Sequence, residues 1–220
     1  MLVIGLTGGI GMGKSTAAAV FRRARIPVFD ADHAVHVLQG RGGRAVRPIA
    51  AAFPGTVRED RVDREALRAA VLGDPAGLRR LEAIIHPLVR QAEQAFLARA
   101  RRAGARIAVL DIPLLLETGG ESRVDLVLVV SAPRTIQVGR VRRRRRLSEA
   151  QIAAVLARQM PDREKRRRAD IVVHTGLSRR HAQRQLRRLI AGALSGQRRF
   201  SPNPKSGRSW AERTRAHPLK

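Results

Sequence analysis

The 220-residue chain has no cysteine, no tyrosine, a single tryptophan and only 3% aromatic residues in all. Without cysteine, disulfides and thiolate-held zinc are excluded. Scarce rings remove the stacking platforms on which single-stranded nucleic acids are held. No apolar run is long enough to span a bilayer, and Leu2 to Leu6 read as a core strand instead of a leader peptide. A cytoplasmic protein with no membrane attachment is therefore expected. Acidic residues are also few, 18 against 44 lysines and arginines, which leaves a formal charge of +26. A positive field speeds the capture of anionic small molecules and attracts nucleic acid weakly at low salt. The cations are mostly arginines spread along helical stretches as solvated faces, so no specific nucleic-acid function is expected.

What is present is concentrated at residues 8–16, Gly-Gly-Ile-Gly-Met-Gly-Lys-Ser-Thr. Gly8, Gly13, Lys14 and Ser15 satisfy the spacing G-x-x-x-x-G-K-[ST] in full, between an apolar strand and an alanine-rich helix. Glycines let such a loop turn its N–H groups inward on phosphate oxygens, and the helix N-terminus adds partial positive charge. Lys14 then reaches the β- and γ-phosphates of a nucleoside triphosphate, and the Ser15 hydroxyl ligates Mg²⁺.

Around this loop, strand and helix alternate. Short Val/Ile/Leu runs predict strands at 2–6, 26–29, 106–110, 124–130 and 170–173. Helices are predicted at 14–24, 31–38, 63–72, 76–102, 133–144, 148–159 and 178–194. Strands apolar on both faces and separated by helices give an α/β fold, a parallel sheet covered on each side. With the loop, that is the P-loop NTPase fold. One domain is expected over 1–196. No strand is legible between about 40 and 103, which is expected to be a helical insert covering the substrate, and 139–160 a helical lid. From Gln197 onward proline, glycine, serine and seven basic residues against one acid, Glu212, predict a disordered tail over 197–220.

Other groups gather at predicted strand ends, where open α/β sheets bind ligands. Asp30-Ala31-Asp32 follows the second strand. One of these acids can face the γ-phosphate and accept a proton from an attacking hydroxyl while the other supports the loop or a metal-bound water. Helix capping, by Asp32 ahead of His33, is the plainer alternative. Asp111 ends an apolar strand in the manner of a Walker B acid supporting Mg²⁺, or simply begins a turn. His86-Pro87 closes or kinks the long helix, and by spacing alone His86 reads as structural. The run from Arg140 to Arg146 sits where a mobile lid supplies arginines to the γ-phosphate.

Taken together, these residues resemble the dephospho-coenzyme A kinase family. The resemblance rests on Thr7-Gly8-Gly9-Ile10-Gly11-x-Gly13-Lys14-Ser15, Asp30-Ala31-Asp32, His86-Pro87-Leu88 and Pro113-Leu114-Leu115-Leu116-Glu117. It continues through Val127-x-Val129-Val130, Arg140, Arg144 and Leu147-Ser148-Glu149…Arg158-Gln159-Met160, in the family's order over about residues 1–195. It implies transfer of the ATP γ-phosphate to the ribose 3′-hydroxyl of dephospho-CoA, the last step of coenzyme A synthesis. By the same resemblance Gly11, Met12, Gly13, Lys14, Ser15 and Thr16 bind ATP, and Asp32 orients or deprotonates the hydroxyl. Asp30, Asp32, His86, Pro113, Leu114 and Leu115 contact the acceptor, and Arg140 and Arg144 belong to the lid. Met12 stands where the family often has a small residue such as serine, at a position that serves through its backbone. The competing expectations are a small P-loop kinase acting on a nucleoside or nucleotide, and an NTPase stimulated by nucleic acid through the arginine run and tail.

Overall fold

The computed structural model describes residues 1–145, 156 and 159–195, without the side chains of Arg144 and Arg145. The expected helix at 148–159, with Arg146, Leu147, Ser148, Glu149 and Arg158, thus lies almost wholly outside the described residues, as does the tail. The chain divides into two units, Met1–Val28 with the chain from Ala103 onward, and Phe29–Arg102.

The five apolar runs form one sheet in the order β2-β5-β1-β6-β7, with β2 running across the boundary of the two stretches of chain. Its strands are β1 (Leu2–Thr7), β2 (Val28–Asp30), β5 (Ile107–Asp111), β6 (Leu126–Ser131) and β7 (Ile171–His174). β1 pairs in parallel with β5 and β6, and β6 with β7. Register sets Leu6 opposite Asp111, Thr7 opposite Val129 and Ser131 opposite His174. Thr7, Asp111, Ser131 and His174 consequently all end strands at the carboxyl edge, where α/β sheets open to ligands.

Helix α1 (Lys14–Arg23) and α8 (Arg179–Leu194) bury their apolar stripes on this sheet. Phe21 and Leu186 pack with Ile4, Leu6, Val109, Leu128 and Val130, all at 1% exposure or less. Each such side chain contributes on the order of 1.5–3 kcal/mol by leaving water. α6 (Arg134–Arg145) follows β6. α7 (Asp162–Arg168), which the sequence reading did not expect, precedes β7.

The second unit holds α2 (Ala31–Gln39), α3 (Val46–Ala52), the antiparallel pair β3 (Val57–Arg58) and β4 (Arg61–Val62), α4 (Arg64–Val71) and α5 (Pro75–Arg102). Leu38, Val46, Ile49, Phe53, Val62, Leu67 and Ile85 form its core, and the Phe29 and Phe96 rings meet at 5.6 Å.

The stretch between 40 and 103 does contain strands, a ribbon of only two residue pairs turned by Glu59 and Asp60, both at positive φ. Such turns are normally signalled by Asn or Gly, and neither is present. His86-Pro87 does not close the long helix: α5 is continuous through Pro87. Proline removes the bond to the Ala83 carbonyl, yet Ile85, Glu93, Leu97 and Ala100 are buried along α5, and tertiary packing of this kind outweighs local propensity.

Candidate active site

The glycine loop lies at the carboxyl edge, between β1 and α1. Gly8 presses on β6 so closely that a Cβ there would stand 2.8 Å from the Val130 carbonyl oxygen. Gly13, at φ 94°, is the N-cap of α1 and supplies no side-chain cap. The first-turn amides are the donors that a helix start leaves for an anion. The Met12 side chain is buried at 2% exposure, and its sulfur accepts from the Ala132 N–H at 3.1 Å. The bulk of Met12 therefore points into the protein and leaves its main chain to the loop.

Lys14 Nζ donates to Asp111 Oδ1 at 2.6 Å, with the Asp111 carboxylate 4% exposed. Ser15 is exposed on the first turn of α1 and Thr16 is half-buried beside it. Among the described residues no cluster of three or more His, Asp or Glu could hold a metal. A magnesium ion needs no such cage: one or two hard oxygen ligands, with phosphates and waters, suffice. The exposed Ser15 hydroxyl and the Asp111 carboxylate fit that requirement.

Arg140, on α6, donates to the Thr175 carbonyl at 2.7 Å, to Thr175 Oγ1 at 3.1 Å and to the Gly11 carbonyl at 3.3 Å. Thr175 Oγ1 in turn donates to the Met12 carbonyl at 2.6 Å. Arg140 and Thr175 thereby bind the loop's carbonyls from the side of β7, and with Gly11, Gly13, Thr16 and Arg179 they line a cavity of about 160 Å³. Arg144 lies on α6, its side chain outside the described atoms.

The Pro113–Leu116 turn follows β5. The Pro113 carbonyl accepts from Thr7 Oγ1 at 2.9 Å. Leu114 is 42% exposed, whereas Leu115 is fully buried, its side chain against Gly5 and Gly120. Any contact Leu115 makes with a ligand must be through its main chain. Beside the turn, Lys165 of α7 is 1% exposed and bonds Glu117 Oε1 at 2.7 Å, and the same oxygen accepts from the Met160 N–H at 3.0 Å.

In the second unit Asp30, not Asp32, caps α2, accepting from the His33 N–H at 3.0 Å. Asp32 projects from the first turn as an exposed side chain, and His86 is exposed on α5. An exposed His86 does not fit a satisfied core histidine.

Thr175, Gln137 and Lys165 carry no role in the sequence reading, and Gln159 enters it only within the Arg158-Gln159-Met160 part of the resemblance. Thr175 had one signal, its place directly after the last strand.

A dephospho-CoA kinase family model matches residues 2–179. The chain is 62% identical over 166 residues to the dephospho-CoA kinase of Paramagnetospirillum magneticum, covering 76% of this chain and 78% of that one. It is 55% identical to the Mesorhizobium japonicum dephospho-CoA kinase, covering 90% and 99% of the two chains. Among solved structures it resembles a Thermus thermophilus protein with a TM-score of 0.76 and 38% identity, over 86% and 96% of the two chains. The Campylobacter jejuni dephospho-CoA kinase shares the fold, with a TM-score of 0.68 at 23% identity over 88% and 98%. With its glycine loop and lysine set at the carboxyl edge of a parallel sheet, and with this match over most of its length, the chain belongs to the dephospho-CoA kinase family.

Proposed function

We propose that the chain transfers the γ-phosphate of ATP to the ribose 3′-hydroxyl of dephospho-CoA, yielding coenzyme A and ADP. The observation that carries this reading is the loop lysine, Lys14, held 2.6 Å from the strand-end carboxylate Asp111 beside the uncapped start of α1. Membership of the family supports the acceptor.

In this reading the loop from Gly11 to Thr16 receives the triphosphate, with Gly8 giving the loop its close seat on β6. Arg140 and Thr175 flank the nucleotide's side of the cavity. Lys14 moves between Asp111 and the β- and γ-phosphates as charge builds there. Ser15, with Asp111 through water, would hold Mg²⁺, which when bound neutralises charge on the phosphate oxygens. Asp32 orients the 3′-hydroxyl, and Asp30 fixes the start of α2 that carries it. His86, Pro113, Leu114 and the Leu115 main chain contact the acceptor.

Transfer is direct. The hydroxyl oxygen forms a bond to the γ-phosphorus as the bond to the β,γ-bridging oxygen breaks. ADP leaves with that electron pair, and the hydroxyl proton passes late to Asp32, because a loose transition state demands little early deprotonation. Arg140 and Arg144 supply positive charge to the transferring group. The work is done in the cytoplasm and needs neither a membrane nor nucleic acid. Among the described residues no helix is long and apolar enough to cross a membrane.

An acceptor panel tests the reading: dephospho-CoA, nucleosides and nucleoside monophosphates are each offered with Mg–ATP while ADP is followed. ADP release that depends on dephospho-CoA supports it. Equal or greater turnover with a nucleoside or nucleotide overturns the acceptor.

A further inference from the structure

Two glutamines from separate stretches of chain meet on one residue of the loop. Gln137 Nε2, on α6, donates to the Ile10 carbonyl at 2.9 Å. The Ile10 N–H donates to Gln159 Oε1 at 3.0 Å. Gln137 is 5% exposed, so an unmet donor on its amide is costly. A Cβ on Gly9 would lie 3.2 Å from both Gln137 Nε2 and Gln159 Oε1, which puts the two amides side by side over the loop.

Ile10 lies between glycines in a loop with glycines at 8, 9, 11 and 13. Such a backbone has many conformations to lose when it closes around phosphate. The Met12 N–H bond to the Gly9 carbonyl, at 3.1 Å, provides one local turn. Both main-chain groups of Ile10 are engaged from outside the loop.

We propose that Gln137 and Gln159 are positioning residues that clasp Ile10 and hold the phosphate loop in its binding shape before the nucleotide arrives. Neither touches the reacting atoms. The inference rests on the nucleotide-binding role assigned to the loop above. Preorganisation of this kind raises affinity by reducing the ordering that binding must impose.

The clasp has a polarity: position 137 must donate and position 159 must accept. Gln159→Glu keeps an acceptor for the Ile10 N–H. Gln137→Glu replaces a donor with an oxygen facing the Ile10 carbonyl. A negative charge near the triphosphate acts alike in both variants, so the two substitutions separate the clasp from simple electrostatics.

The experiment measures Mg–ADP affinity by calorimetry, KM for ATP and for dephospho-CoA, and the melting temperature, for the full chain and for Gln137→Ala, Gln137→Glu, Gln159→Ala and Gln159→Glu. Gln137→Ala, Gln137→Glu and Gln159→Ala are expected to bind Mg–ADP about tenfold more weakly, the size of one net hydrogen bond. Their KM for ATP rises in step while KM for dephospho-CoA stays within about twofold, because the acceptor makes no use of Ile10. Gln159→Glu is expected to recover most of what Gln159→Ala loses. Should Gln137→Ala melt early, the Gln159 pair alone carries the test. Wild-type affinity in both alanine variants, or equal losses in both glutamate variants, overturns the clasp. Absence of Mg–ADP binding by the unaltered chain overturns the nucleotide reading itself, and the clasp's role with it.

Discussion

Lys14 Nζ donates to Asp111 Oδ1 across 2.6 Å, joining the first turn of α1 to the carboxyl end of β5. Lys14 is 17% exposed and Asp111 4%, so the pair is partly sheltered and its charges are screened less than surface ones. The lysine is therefore held beside the helix start by a carboxylate that can also face a metal-bound water. Removing it takes away a preorganised donor and leaves Asp111 without this cation. Lys14→Ala should lose on the order of 10²-fold or more in turnover, measured as CoA formation at saturating ATP. A variant that folds and turns over near the normal rate would contradict the loop assignment.

Asp30 and Asp32 should separate on substitution. Asp30 accepts from the His33 N–H as the cap of α2, whereas Asp32 is exposed one residue inside the helix. Asp32→Asn should bind ATP normally and lose roughly 10²-fold in transfer, the scale of a proton acceptor. Asp30→Asn, which preserves the cap, should fold and turn over nearly as the parent does, because Asn caps as well as Asp. Calorimetry with Mg–ADP beside kcat checks both. Lost nucleotide binding in Asp32→Asn would make Asp32 a structural residue.

Lys165 shows why part of the site could not be read from sequence. Asp162–Arg168 is charged at every position and reads as a solvated stretch, yet Lys165 is 1% exposed because Glu117, 48 positions earlier, meets it at 2.7 Å. No local pattern encodes that encounter. The same holds for Gln137 and Gln159 at Ile10 and for Thr175 at Met12, which are tertiary contacts between polar residues. What was legible obeys short-range rules. Apolar runs located the five sheet strands within about two residues, and the loop motif located the nucleotide end. Between 40 and 103 those rules failed where they were weak: α3 is seven residues long with Pro48 inside it, and the β3–β4 turn uses Glu59 and Asp60 in place of glycine. Asp30 and Asp32 were legible as a pair of acids at a strand end, but which of them capped the helix depended on where β2 ended.

The buried pair at Lys165 also carries stability. Glu117→Ala leaves a lysine charge enclosed and should cost about 3–5 kcal/mol, while the double variant Glu117→Leu with Lys165→Met should recover much of that loss. Chemical denaturation measures both. A mild effect in Glu117→Ala alone would mean that Lys165 finds water or another acceptor.

Acid should loosen the helical unit through its caps. The Ala66 amide, with lesser help from the Glu65 amide, Arg58 and Arg61, holds the Asp63 carboxyl below its ordinary range against opposing desolvation. The Gly77 amide, aided by the Ala76 amide, Arg80 and Arg79, does the same for Asp74, again against desolvation. A carboxyl whose folded pKa is depressed stabilises the fold above the unfolded value, about 3.9 for Asp, and that contribution fades as pH falls through the folded pKa. The difference in melting temperature between the parent and Asp63→Asn/Asp74→Asn should therefore be present at neutral pH and shrink below about pH 4. A difference constant down to acid pH would show that cap charge contributes nothing.

The most direct measurement incubates the full chain with Mg–ATP and dephospho-CoA and identifies the product by mass and by the position of the new phosphate. Coenzyme A is the expected product, its new phosphate on the ribose 3′-oxygen, with one ADP released for each molecule formed. ADP release at the same rate without dephospho-CoA, or phosphate placed on another acceptor, would contradict it.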